Sequence, residues 1–161
     1  MRNGLVRATV FSAMLLGSAA ACALEPAEES PVGKAVCGTG EWRRIEAALA
    51  ERSQGHHADE LKDIAYSYFC GKGAGAKTRL MGASPKLVRT VVGNIEGSRG
   101  SLTLASEAIL PREGRAWDAS VFVVGTDLTV EYRPDVSCNG AIKFRPVASG
   151  WLIVEVSEAC C

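Results

Sequence analysis

Residues 138–160 read CNGAIKFRPVASGWLIVEVSEAC, and the way this stretch pairs with itself decides the fold. Val147 set against Trp151, across a three-residue loop ending in Gly150, brings Ile142 opposite Val156, Phe144 opposite Val154 and Lys143 opposite Glu155. Apolar meets apolar and base meets acid, as cross-strand pairs prefer. A slip of one residue sets Phe144 against Glu155 and Lys143 against Val156, so the first register wins. Carried outward, that register puts Cys138 opposite Cys160, within disulfide reach across an antiparallel ladder. The bridge would close a loop of about 20 residues, worth ~3 kcal/mol in the chain-entropy model. Cys161 is then left over, and Cys138–Cys161 through a bulge is the rival pairing.

A second hairpin precedes it. Trp117, Ala119, Val121 and Val123 alternate along one strand face, and Gly125-Thr126 has the chemistry of a two-residue type II′ turn. Pairing Val124 with Asp127 places Val121 opposite Val130, Val123 opposite Leu128, Ala119 opposite Tyr132 and Asp118 opposite Arg133. Upstream, Leu102, Leu104, Ala108 and Leu110 line one face of a further strand.

Before residue 101 the period is helical. Trp42, Ile45 and Leu49 share a face of a helix over 41–53, which Gly55 ends. Leu61, Ile64, Ala65, Tyr68 and Phe69 do the same over 58–70, with Asp59 and Glu60 in the first turn and Gly71 as C-cap. The short connection implies an antiparallel helical hairpin. That geometry brings Cys37 near Cys70 and predicts a Cys37–Cys70 disulfide. Ser84-Pro85 has the N-cap and first-turn chemistry of a third helix, with Leu87, Val88, Val91, Val92 and Ile95 as its stripe.

The expected architecture is α+β: three N-terminal helices packed on an antiparallel meander of about five strands, because the helices are the only cover for the apolar sheet face. This plan resembles the cystatin-like and NTF2-like arrangement of helices cradled by a curved sheet. The resemblance is one of topology, without a shared motif, and such folds host many functions.

The N-terminus predicts export. Arg2 and Arg7 precede an apolar or small run over 8–21, shorter than a spanning helix. Ala19-Ala20-Ala21 and Ala21-Cys22-Ala23 both fit a signal-peptidase site. Residues 1–23 are read as a secretory signal, 24–36 as a flexible tether rich in Pro and Glu, and 37–161 as one domain. The alternative is a lipoprotein anchored through Cys22, although Ala19 stands where that signal usually carries Leu. Cleavage after Ala23 removes two arginines and no acid, leaving 16 bases against 18 acids, a charge of −2. That balance argues against a nucleic-acid binder. Six cysteines in 161 residues, in no zinc-like spacing, fit disulfides in an oxidising compartment.

Catalytic constellations are sparse. His56 and His57 are the only histidines; His57 with Glu60 at i+3 would support a general base or two metal ligands, without a third ligand nearby. Residues 71–78, GKGAGAKT, resemble a phosphate loop but follow a helix rather than a strand, and read as a flexible glycine loop. The same region carries Lys72, Lys77, Arg79, Lys86 and Arg89 with no acid between Gly71 and Ile95, a candidate surface for an acidic partner or lipid phosphates. Trp117, Tyr132 and Phe144 are candidates to line a small apolar pocket above the sheet. No cofactor or metal is implied. The expectation is an exported, periplasmic or secreted, non-enzymatic binding protein of inhibitor or immunity type that recognises another protein. A small apolar-ligand or lipid-binding module is the alternative, and a His-centred hydrolase or metalloenzyme the third reading. Membrane association is expected only if Cys22 is lipidated.

Overall fold

A computed structural model describes residues 33–85, 88–95, 98–104 and 109–160, with 88–95, 98–104 and 160 described in backbone only. The first two helices form where their apolar stripes fall: α1 is Thr39–Arg52 and α2 is Ala58–Phe69. Ile45 and Leu49 of α1, and Leu61, Ile64, Ala65, Tyr68 and Phe69 of α2, are buried. The Cys37–Cys70 disulfide is present and ties the start of α1 to the end of α2, as an antiparallel helical hairpin requires. Its closed loop is worth about 4 kcal/mol in the chain-entropy model. The last carbonyls of α2 are capped from a distant loop, Arg112 N–H donating to Tyr68 O at 2.6 Å and Gly114 N–H to Phe69 O at 2.8 Å.

The third helix is not where it was expected. No helix opens at Ser84-Pro85; Val88–Ile95 is strand β1, and helix α3 is Gly73–Ala83, which begins inside the 71–78 stretch read as a glycine loop. Five of the eight residues of β1 are β-branched, and such side chains lose χ1 freedom in a helix but suit a pleated sheet. In α3, Ala74, Ala76, Lys77, Arg79, Leu80 and Met81 are helix formers, and Leu80 and Ala83 go into the core at i, i+3 spacing. Leu87 of the expected stripe lies outside the described residues.

The remaining strands are β2 Ser98–Leu104, β3 Trp117–Val124, β4 Asp127–Asp135, β5 Cys138–Val147 and β6 Gly150–Cys160. The sheet order is β2-β1-β6-β5-β4-β3. Strands β3 to β6 form the expected antiparallel meander. The β1–β2 hairpin adds to the outer edge of β6 with β1 parallel to β6, so the sheet has six strands rather than about five and is mixed at that edge. Leu110 is not on a strand and is exposed; its neighbour Ile109 enters the core instead. Ala108 lies outside the described residues.

Each hairpin register holds over part of its length and shifts at a bulge, so that Ala119–Tyr132, Phe144–Val154 and Val147–Trp151 are not among the pairs formed. Val124 faces Asp127, Val123 faces Leu128 and Val121 faces Val130. A bulge between Trp117 and Ser120 then sets Trp117, not Asp118, opposite Arg133. In the last hairpin Cys138 faces Cys160, Ile142 faces Val156 and Lys143 faces Glu155, as read from the sequence. Nearer the turn the register shifts: Phe144 faces Ile153 and Val147 faces Gly150, across a two-residue turn. Trp151, Ile153 and Val156 are all buried. A bulge at Val154 lets both sides of it face inward, which strict alternation forbids. At the turn, Gly150 has φ of 140°, and a Cβ there would lie 2.1 Å from the Glu60 carboxylate.

Residues 34–36, the end of the stretch read as a tether, lie against the sheet. Ala35 bridges Trp117, Val36 N–H donates to Ala116 O, and Val36 is fully buried. Cys138 is disulfide-bonded, and Cys161 lies outside the described residues.

Candidate functional site

Two places gather chemistry: the solvent side of the helical layer and a polar corner inside the fold. On the helical layer, Trp42 of α1 and Tyr66 of α2 meet edge to face, ring centroids 5.1 Å apart. Tyr66 remains 49% exposed, a large amphipathic ring left in solvent between two helices. One turn before it on α2, Asp63 meets Arg79 of α3 at 3.7 Å. Lys62 reaches Asp59 at 2.7 Å and Glu46 of α1 at 3.9 Å. These contacts make the outer sides of the three helices one continuous surface. Lys72, Lys77 and Arg79 are exposed on or beside α3, and Met81 near its end is 40% exposed. No acid stands in the first turn of α3 and no side chain caps it, so Lys72 adds its charge to the positive end of the helix dipole. Of the five basic residues singled out in the sequence, the structure gathers these three. The side chains of Lys86 and Arg89 lie outside what is described.

The polar corner joins four elements. Tyr68 comes from the last turn of α2, Tyr132 from β4, Glu158 from β6, and Arg112 from the loop that caps α2. The two tyrosine hydroxyls are 2.6 Å apart, and that of Tyr132 donates to Glu158 Oε1 at 3.2 Å. Because the Tyr132 hydrogen goes to the carboxylate, the hydrogen between the tyrosines is Tyr68's. Arg112 donates through Nε to Tyr68 Oη at 3.3 Å and through Nη2 to Tyr132 Oη at 3.1 Å, and it pairs with Glu158. Its guanidinium also lies 5.9 Å and 5.4 Å from the two ring centroids, within cation–π range. Burial, and then the neighbouring Tyr132 hydroxyl, hold the Tyr68 phenol well above the usual tyrosine range, so it stays protonated.

The sheet register explains why these groups meet. Tyr132 faces Gly140, and Gly140 faces Glu158, one row across three strands. A Cβ on Gly140 would sit 2.5 Å from Cζ of Tyr132. The missing side chain is what lets the tyrosine lean along the row towards the acid.

The candidate pocket residues divide. Tyr132 and Phe144 point into the core, where the Tyr132 ring is met by Phe69 at 5.2 Å and Tyr68 at 5.9 Å. Trp117 pairs with exposed Arg133 beyond the β3 bulge. Cross-strand partners share a face, so Trp117 lies on the other side of the sheet from Tyr132.

The two histidine rings meet edge to face, centroids 4.8 Å apart, but their nitrogens reach different partners. His56 Nε2 lies 2.9 Å from Val147 O, and Trp151 Nε1–H donates to His56 O at 2.7 Å. His56 therefore locks the α1–α2 connection onto the β5–β6 turn. His57 has left-handed backbone, φ 43°, and its Nδ1 is 3.6 Å from Glu60. Among the described residues no three His, Cys, Asp or Glu side chains come together as metal ligands. None of the described helices is long and apolar enough to cross a membrane.

No known protein family and no curated protein matches the sequence. Among solved structures, an NTF2-like protein of unknown function from Methylobacillus flagellatus KT is 11% identical, covering 80% of this chain and 98% of that one, with a TM-score of 0.39. An NTF-2 like protein of unknown function from Silicibacter pomeroyi DSS-3 is 17% identical, covering 77% and 99%, with a TM-score of 0.38. The α+β assignment rests on the chain's own helices and strands, described above.

Proposed function

We propose that this chain is an exported, non-enzymatic binding module that recognises another protein through the solvent side of its helical layer. The observation that carries this reading is the continuity of exposed Tyr66, backed by half-buried Trp42, with the basic residues of α3. Exposed aromatics beside cationic side chains make the kind of surface on which interface hot spots form. The charge selects the partner's chemistry: an acidic protein face, approached faster at low salt. Export is supported by the signal-like N-terminus and is consistent with the Cys37–Cys70 disulfide.

The alternative, an apolar-ligand module, finds less support. Two of its three candidate residues, Tyr132 and Phe144, are buried in the packed core and the third is on the opposite sheet face. The inhibitor- or immunity-type role remains the finer form of the proposal.

The test is photo-crosslinking in the native host from a benzophenone amino acid placed at Tyr66, with Val136 as control because it is exposed on the β4–β5 turn and belongs to no helix. The reading expects a protein adduct of one mass from position 66, reduced roughly tenfold when Lys77→Glu and Arg79→Glu are combined with it. No adduct at 66, or the same adduct from 136, contradicts it.

A further inference from the structure

We propose that the corner formed by Arg112, Tyr68 and Tyr132 is a binding site for a small carboxylate, with Glu158 as its built-in competitor. Glu158 receives the Tyr132 hydroxyl proton and the Arg112 guanidinium, and Tyr68 reinforces Tyr132 from behind. A guanidinium beside an aligned hydroxyl is the donor set that a planar carboxylate takes best.

The donors are held without help from Glu158. Arg112 is fixed by its own backbone bond to Tyr68 O and by lying over two aromatic rings. Tyr132 is seated on Gly140 and against Phe69, and Tyr68 belongs to α2. A carboxylate replacing that of Glu158 would therefore meet a preorganised site and spend little on ordering it. Access comes from one side: the Arg112 side chain is 20% and that of Glu158 11% exposed, while both tyrosines are closed off. Stability alone is a weak reason for the arrangement, since a partly buried ion pair gains little over apolar residues of the same volume. The site is separate from the helical-layer surface, and one can fail without the other.

The probe is sodium acetate, titrated calorimetrically against the oxidised protein. In Glu158→Gln the competitor loses its charge, and acetate saturates a single site roughly tenfold more tightly than in the native chain. Adding Arg112→Gln or Tyr132→Phe to that variant abolishes the binding, whereas adding Lys77→Glu does not change it. No uptake by folded E158Q, or uptake that survives loss of Arg112, overturns the proposal. A second arm needs no folded E158Q. Acetate raises the Tm of the native protein above its value in chloride of equal ionic strength, and Tyr132→Phe removes the difference. Equal Tm values in acetate and chloride overturn the proposal in that arm.

Discussion

Gly140 is the residue at which sequence, packing and candidate chemistry meet most closely. Its lack of a side chain decides whether Tyr132 can lean towards Glu158, and a Cβ would strike the ring. Gly140→Ala is expected to cost on the order of 2 kcal/mol, by overpacking a ring confined on three sides. Urea unfolding checks this, and a midpoint equal to that of the native chain counts against the packing described. Asp127 offers a residue-scale test of electrostatics. Arg145 donates to it in fork geometry at 2.8 and 2.7 Å, and that hydrogen bonding holds its carboxyl below the usual value. A carboxylate with a lowered folded value stabilises above its unfolded pKa, and the contribution is lost as the pH falls through the folded one. Below about pH 4, Asp127→Asn should therefore show a shallower loss of stability than the native chain. Identical acid slopes would mean that the pair contributes nothing.

Among the elements, α1, α2 and the two hairpins were legible because their patterns have one solution. The α2 stripe has helical period and nothing else. The Val124–Asp127 turn fixes the β3–β4 register. The β5–β6 pairing of Lys143 with Glu155 survives a turn one residue shorter than expected, because a bulge at Val154 absorbs the difference. The α3 and β1 assignments were exchanged for a physical reason. Val88, Val91, Val92 and Ile95 fit a helical stripe by spacing, but a run of β-branched residues prefers the sheet, and an open edge of β6 was there to receive it. Residues 73–83 hid a helix behind glycines. At Gly75 nothing lies within 4 Å of a built Cβ and the backbone is not left-handed. Gly75→Ala should therefore stabilise by about 0.5–1 kcal/mol, read as a raised Tm. A fall in Tm would contradict the helix there. The polar corner was half legible. The register that sets Cys138 opposite Cys160 also sets Gly140 opposite Glu158, which puts an acid on the inward row and calls for a basic partner. Arg112 could not be found that way, because it reaches the corner from a loop whose position no period encodes. The basic residues of α3 were read from charge alone. Their junction with Trp42 and Tyr66 needed the helix packing.

At the scale of the whole molecule, α2 is the part that everything else holds. Cys37 bonds its end, the Arg112–Gly114 loop caps its carbonyls, Glu60 covers the β5–β6 turn, and its buried face carries Tyr68 and Phe69 into the core. The solvent side of that same helix presents Tyr66 beside the basic surface proposed for partner recognition. Opening the Cys37–Cys70 bond should thus loosen the recognition surface along with the core. Cys37→Ser combined with Cys70→Ser is expected to lose about 4 kcal/mol of stability, checked by denaturant unfolding. A stability unchanged within about 1 kcal/mol would contradict the role given to the bond. The function proposed here needs a chain that leaves the reducing cytoplasm and works in its oxidised form. The intact mass of the protein from its natural host, with and without reduction and followed by disulfide mapping, reads this directly. The expected result is a chain beginning at Leu24 with Cys37–Cys70 and Cys138–Cys160 closed. A full-length chain that retains its first 23 residues and carries only free thiols would contradict it.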